Sequence, residues 1–180
     1  MYDGRIFVIN RQTDCIIDPL ANVSGHEDYH VDYFFNPYVT STGDVLVSYG
    51  SNGLYKFHLD RTGLKSDLVT TGGLIVKSVA EGYHNDLWIG TDKGVHRLNT
   101  SNMALESKGF LLDEDITHLT SNGYNIYAGT ASGKIILFSY GDDPQVVFSW
   151  GRPITGLFID SHGLFWFSDD EAGCFRLNRE

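Results

Sequence analysis

A short phrase returns five times along this chain, a glycine followed by alternating apolar residues. It reads Gly4-Arg-Ile-Phe-Val-Ile, Gly53-Leu-Tyr-Lys-Phe, Gly94-Val-His-Arg-Leu, Gly133-Lys-Ile-Ile-Leu-Phe and Gly173-Cys-Phe-Arg-Leu, with spacings of 49, 41, 39 and 40 residues. A period near 40 with strand-like content restricts the chain to an array of small sheets, because one such unit cannot bury its own apolar faces.

The residues before each glycine repeat as well: Leu46-Val-Ser-Tyr-Gly, Leu87-Trp-Ile-Gly-Thr, Ile126-Tyr-Ala-Gly-Thr and Trp166-Phe-Ser-Asp-Asp. Ten residues ahead of the glycine stand Gly43, Gly123 and Gly163, with His84 in the second repeat. Further upstream come Val76/Val79, Ile116/Leu119 and Ile154/Leu157, and a fourth run follows the glycine strand, clearest at Val146–Trp150. Short β-branched and aromatic runs bounded by Gly, Asn, Asp and Ser are strands, and no stretch sustains a helical apolar period. Each unit therefore reads as four antiparallel strands, A to D. The fold expected is an all-β propeller of about four blades. Its repeats fall at about 1–18, 31–70, 75–112, 116–150 and 154–180, in a single domain spanning 1–180.

Leu87-Trp-Ile-Gly-Thr-Asp-Lys-Gly-Val-His-Arg-Leu resembles the repeat of the two-component regulator propeller family, and Ile126-Tyr-Ala-Gly-Thr…Gly133 and Ile154…Asp160-Ser-His-Gly163-Leu-Phe-Trp-Phe are weaker copies. The resemblance spans residues 31–180; the first and last copies depart from it, with Ser168-Asp-Asp replacing Ile-Gly-Thr in the last. It implies the extracytoplasmic, periplasmic sensor region of a bacterial hybrid two-component regulator. In such proteins the propeller is followed by an immunoglobulin-like domain, a membrane helix and a histidine kinase, and the signal is often a glycan. A binding-induced rearrangement between propellers or protomers would carry that signal.

The strand count leaves two arrangements open. In a closed four-blade ring, the run Asp14-Cys-Ile-Ile17 would complete the final blade as a clasp, leaving one of two glycine strands (5–10 or 174–178) surplus. In a part of a larger propeller, the favoured reading, an open blade face would invite other blades or a second protomer as a homodimer. Cys15 and Cys174 would meet at the clasp in the first case, and are half-buried strand cysteines in the second.

A net charge of −10 argues against nucleic-acid partners, which need a basic face, and against anionic membranes. No apolar stretch approaches the length of a membrane span, and Met1-Tyr-Asp-Gly lacks the basic and apolar regions of a signal peptide. No nucleophile elbow, phosphate loop or Cys-x-x-Cys occurs, so the segment is expected to be no enzyme and to carry no cofactor. His26 and His30 flank Glu27 and Asp28 with zincin-like content, but the flanking Ser24-Gly25 denies them the helix such a metal site requires. His58, His96 and His118 read as structural, and Asp113-Glu-Asp115, Asp142-Asp143 and Asp169-Asp-Glu171 as solvated turn acids. Trp88 and Trp166, at neighbouring register in B strands, read as inter-blade core.

Equivalent loops of successive blades project on one face. The A–B turns would thus place Tyr83, His84, Asn85, Ser121, Asn122, Asp160, Ser161 and His162 on one polar-aromatic rim. The ligand-binding set expected is Tyr83, His84, Asn85, Asn122, Asp160 and His162, with Trp150 at a strand end. Aromatic and amide groups on shared loops suit a carbohydrate. The alternative is a propeller scaffold that docks another protein and takes no small ligand.

Overall fold

The computed structural model describes residues 8–10, 15–17, 37–48, 53–60, 63–69, 73–111, 113–139 and 141–177. The described residues form a β-propeller array with no α-helix. Blade 1 comprises β3 (Tyr38–Val39), β4 (Val45–Ser48), β5 (Leu54–Asp60) and β6 (Gly63–Val69). Blade 2 comprises β7 (Val76–Glu81), β8 (Leu87–Thr91), β9 (Gly94–Asn99) and β10 (Ala104–Phe110). Blade 3 comprises β11 (Ile116–Ser121), β12 (Ile126–Thr130), β13 (Lys134–Phe138) and β14 (Gln145–Ser149). Blade 4 contains β15 (Gly156–Ile159), β16 (Phe165–Asp169) and β17 (Gly173–Leu177). Each blade is an antiparallel meander whose strands pair in sequence order.

Between β2 (Cys15–Ile17) and β1 (Val8–Asn10) there is an antiparallel hairpin, with Val8 opposite Ile17 and Asn10 opposite Cys15. Among the described residues β2 does not join β17, so the final sheet has three strands and the clasp arrangement is not formed.

The core lies between blades, in three layers. Leu46, Leu54 and Val69 of blade 1 pack with Val76, Val79, Leu87 and Ile89 of blade 2. Ala80 and Val95 of blade 2, with half-buried Trp88, pack with Ile116, Leu119 and Ile126 of blade 3. Tyr127 and Ile135 of blade 3 pack with Ile154, Leu157, Phe165 and Phe167 of blade 4. Two-residue alternation sends each strand's side chains to two neighbours in turn.

The repeated glycines have steric causes. At Gly94, with φ +89°, a Cβ would lie 2.3 Å from the Phe110 carbonyl oxygen, because the loop leaving strand D folds back over it. On the strand before it, a Cβ at Gly90 would meet Cγ2 of Ile116 at 2.6 Å, where the next blade's inner strand presses on the sheet. The repeat phrase thus records blade-to-loop and blade-to-blade contact.

The acids between β10 and β11 are ion-paired. Lys77 Nζ lies 2.5 Å from Asp115 Oδ1, tying blade 2 to the entry of blade 3. Lys134 pairs with Glu114, which also accepts from Ser132 Oγ; the lysine holds the Glu114 carboxyl below its ordinary range. Both acids bridge elements of the array rather than serving their turn alone, Glu114 mostly covered and Asp115 still 41% exposed.

Candidate functional site

In a four-stranded meander the A–B turns share one end of every blade, and the B–C turns and D–A loops share the other. The A–B turns of blades 1 and 4 are alike: Thr40 N donates to Asp44 O (2.9 Å) and Asp160 N to Leu164 O (3.0 Å), with Gly43 and Gly163 in the left-handed region. In blade 3, Asn122 Oδ1 accepts from the amides of Tyr124 (3.1 Å) and Asn125 (2.9 Å). In blade 2 a 3-10 turn, Tyr83–Asn85, replaces the glycine turn, and Gly82 N donates to Asp86 O at 2.8 Å.

His84, at the position of Gly43, Gly123 and Gly163, keeps their backbone hand with φ +56°, and Asn85 follows at φ +61°. This conformation costs an L-residue roughly 1–2 kcal/mol. Here it holds the imidazole 3.9 Å, centroid to centroid, from the Tyr83 ring.

Tyr83 stacks on Tyr124 of the neighbouring blade, with centroids 5.6 Å apart and planes at 20°. Tyr83 is 41% and Tyr124 71% exposed, so the stacked pair stands open to solvent where the two blades meet. Tyr124 was not among the residues expected from sequence. Its signal was its place in the same A–B turn, one residue past Gly123. The same edge is fastened to blade 1 where Ser41 N and Oγ donate to the Glu81 carboxylate (2.8 and 3.0 Å) and Glu81 N donates to the Tyr38 hydroxyl (3.0 Å).

Other expected rim residues have structural duties. Asp160 Oδ2 accepts from Trp166 Nε1 (3.0 Å), and its Oδ1 accepts from the amides of His162 (2.8 Å) and Leu164 (3.0 Å). The Trp166 bond foremost holds the carboxyl below its ordinary range. His162 stands exposed beside it. Asn122 likewise spends its carbonyl oxygen on its own turn.

Trp150 lies at the opposite end of the array, in the D–A loop, so it does not join the A–B rim. Its Nε1 donates to Asp169 Oδ2 (2.6 Å), its ring packs on Phe175 (4.7 Å) and Phe167 (5.4 Å), and Arg152 lies over it at 5.3 Å. Asp169 is buried, accepts from the amides of Ala172 (2.5 Å) and Glu171 (3.1 Å), and is 3.4 Å from Arg152. The Ala172 amide and the Trp150 indole lower its pKa.

Trp166 departs from expectation. It occupies the same register as Trp88, opposite Arg176 as Trp88 is opposite Arg97. The glycine-based alignment slipped by one because three residues separate Asp169 from Gly173, where two separate Thr91 from Gly94. Trp166 is 36% exposed, since no described element packs on that face. Cys174 is a free, exposed cysteine on the same strand pair, not a half-buried one.

Of the histidines expected to be structural, His96 Nε2 is 3.0 Å from Lys93 O, and His58 lies 3.5 Å from Asp67. His118 is half-buried with no partner for Nδ1, and burial pushes its pKa down. Among the described residues, no three His, Cys, Asp or Glu side chains converge on a metal position. His26 and His30 lie outside the described residues. Among the described residues, no helix is long and apolar enough to cross a membrane.

The fold is that of the β-propellers. The extracellular domain of a hybrid two-component system from B. thetaiotaomicron superposes with TM-score 0.72 at 17% identity, over 98% of this chain and 25% of that one. Virginiamycin B lyase from Staphylococcus aureus superposes at 0.68 and 13% identity, over 96% and 62%. PorZ, a bacterial surface component of the type-IX secretion system of Porphyromonas gingivalis, superposes at 0.65 and 15% identity, over 97% and 24%. At these identities the likeness is one of fold, and the chain spans about a quarter of the length of the B. thetaiotaomicron domain. No protein-family model matches the sequence, and no curated protein matches it.

Proposed function

We propose that this chain is a ligand-binding segment of an extracytoplasmic sensor propeller of a bacterial two-component regulator, and that its ligand is a carbohydrate seated on Tyr83 and Tyr124. The Tyr83–Tyr124 stack is the observation that carries the reading. The outward ring faces of this solvent-exposed stack offer the apolar face of a pyranose a place to lie. Asn85 and Ser121 beside them supply hydrogen-bonding groups for its hydroxyls. Similarity to extracellular domains of hybrid two-component systems supports the sensor role. In this reading the segment binds and does not catalyse. A ligand signals only by binding two arrangements of the receptor differently.

The test is calorimetric titration with a panel of plant and host oligosaccharides. A bound glycan at 100 times its Kd stabilises the fold by roughly 2.7 kcal/mol. Tyr83→Ala and Tyr124→Ala each weaken binding about tenfold or more, on the order of 1.4 kcal/mol. If no oligosaccharide binds, or if both variants bind as the parent does, the carbohydrate reading fails.

A further inference from the structure

The three inter-blade layers use the same positions each time. On strand B, Leu46, Trp88 and Tyr127 lean on the following blade, and two residues later Ser48, Gly90 and Gly129 receive its inner strand. On strand C, Leu54, Val95 and Ile135 complete the patch, fully buried. The incoming strand always brings a branched residue and a second apolar residue three further on: Val76 and Val79, Ile116 and Leu119, Ile154 and Leu157. Where the receiving position is serine, its hydroxyl takes up the contact: Ser48 Oγ donates to Val76 O at 2.8 Å.

Blade 4 carries a fourth such set with nothing described upon it. Trp166, Ser168 and Cys174 hold the three receiving positions, and Phe158 stands beside them at 61% exposure. Phe158 occupies the place that buried Ala80 has in blade 2, since each is paired with its blade's tryptophan. The terminal face at the other end is different: Val47, Tyr55 and Phe57 of blade 1 are all buried. Val39 on that same face is 63% exposed, so the face is covered only in part, and a second copy is the rival occupant that the test below addresses.

We infer that the bare face of blade 4 seats one further blade of this same repeat. Its inner strand presents an Ile/Val-x-x-Leu/Val pair, the branched residue lies over Ser168, and the Ser168 hydroxyl, which now lies 3.1 Å from Thr155 Oγ1, turns to donate to that residue's carbonyl as Ser48 does to Val76. Seating buries Trp166, Phe158 and Cys174. The inference rests on the blade series and not on the carbohydrate reading, so either can fail alone.

Cys174 reports on the face. Its alkylation by a maleimide is followed by peptide mass spectrometry in the 180-residue chain and in the same chain extended after Glu180 by a copy of residues 139–180, with the copy's own cysteine made serine. The copy supplies an outer strand for blade 4 and a new Ile154–Leu157 strand to dock. In the 180-residue chain Cys174 reacts as an exposed thiol at every protein concentration. In the extended chain it reacts on the order of 100-fold more slowly, as a buried interface opens only rarely. Ile154→Asp in the copy restores the fast rate. Fast alkylation in the extended chain overturns the inference. So does slow alkylation of the unextended chain that deepens with concentration, because a second copy would then be the occupant.

Discussion

Trp88 and Trp166 hold the same place in blades 2 and 4, yet their surroundings are opposite. Trp88 lies between Phe110 of its own blade (5.7 Å) and Phe138 of blade 3 (6.1 Å). Trp166 looks outward, fastened to its own blade by Asp160 and overlain by Arg176 at 5.9 Å. The basic residue opposite the tryptophan differs in the same sense. Arg97 pairs with Asp86 at 2.6 Å, whereas blade 4 has Leu164 at the corresponding turn end, leaving Arg176 to cover the indole. At the B–C turn, Thr91 bonds locally to Gly94 O (2.9 Å) and Lys93 N (3.0 Å), while blade 4 substitutes buried Asp169, anchored from the preceding loop by Trp150 and Arg152. The comparison shows that a residue's contribution in a repeat array is set by the next blade as much as by its own.

The largest test of that contrast is truncation of each tryptophan. Trp88→Ala is expected to cost about 3 kcal/mol in urea unfolding, as for a large aromatic lost from a packed layer. Trp166→Ala should cost less, about 1 kcal/mol, chiefly for the lost Asp160 hydrogen bond. Equal losses would mean that both faces are covered in solution.

Next comes the receiving position. Gly90→Val forces a side chain against Ile116 and should destabilise by about 2 kcal/mol, the cost of overpacking. Ser168→Val in blade 4 meets no neighbouring blade and should cost about 0.5–1 kcal/mol at most, for the lost Thr155 hydrogen bond. A substantial loss at position 168 would break the comparison.

Asp169 gives a smaller effect with a defined pH signature. Its folded pKa is depressed, so its stabilisation is complete above the ordinary value of 3.8 and is lost as pH falls through the folded value. Asp169→Asn should lower Tm at neutral pH and flatten the acid limb of the stability curve. An unchanged acid limb would show that the Ala172 amide and the Trp150 indole do not hold the Asp169 carboxylate in solution.

The smallest effect belongs to His84. His84→Gly relieves the left-handed backbone but adds freedom to the unfolded chain, for a net gain of roughly 0.5–1 kcal/mol. The same variant should weaken glycan binding if His84 steadies the Tyr83 ring. Stabilisation without loss of binding would make His84 a turn residue only.

The fold was legible because the blade-defining features are local or periodic. Turn glycines, two-residue alternation and a 40-residue recurrence all leave marks in order along the chain. The A–B rim was legible in part for the same reason, since equivalent turns must share one end. Trp150 was misplaced because strand direction, not proximity to a loop, decides which end a residue occupies. Asp160 and Asn122 could not be recognised as turn-bonded from residue type, because the same side chains serve ligands and turns equally well.

The amino-acid sequence alone therefore determined that the chain builds four-stranded blades and which turns share an edge. These follow from sterics that each segment carries within itself. Tertiary structure decided the stacking of Tyr83 on Tyr124, the half-burial of Trp88 against the exposure of Trp166, and the partner of Ser48. Each of these is set by what a neighbouring blade brings to the face, and no single repeat contains that information.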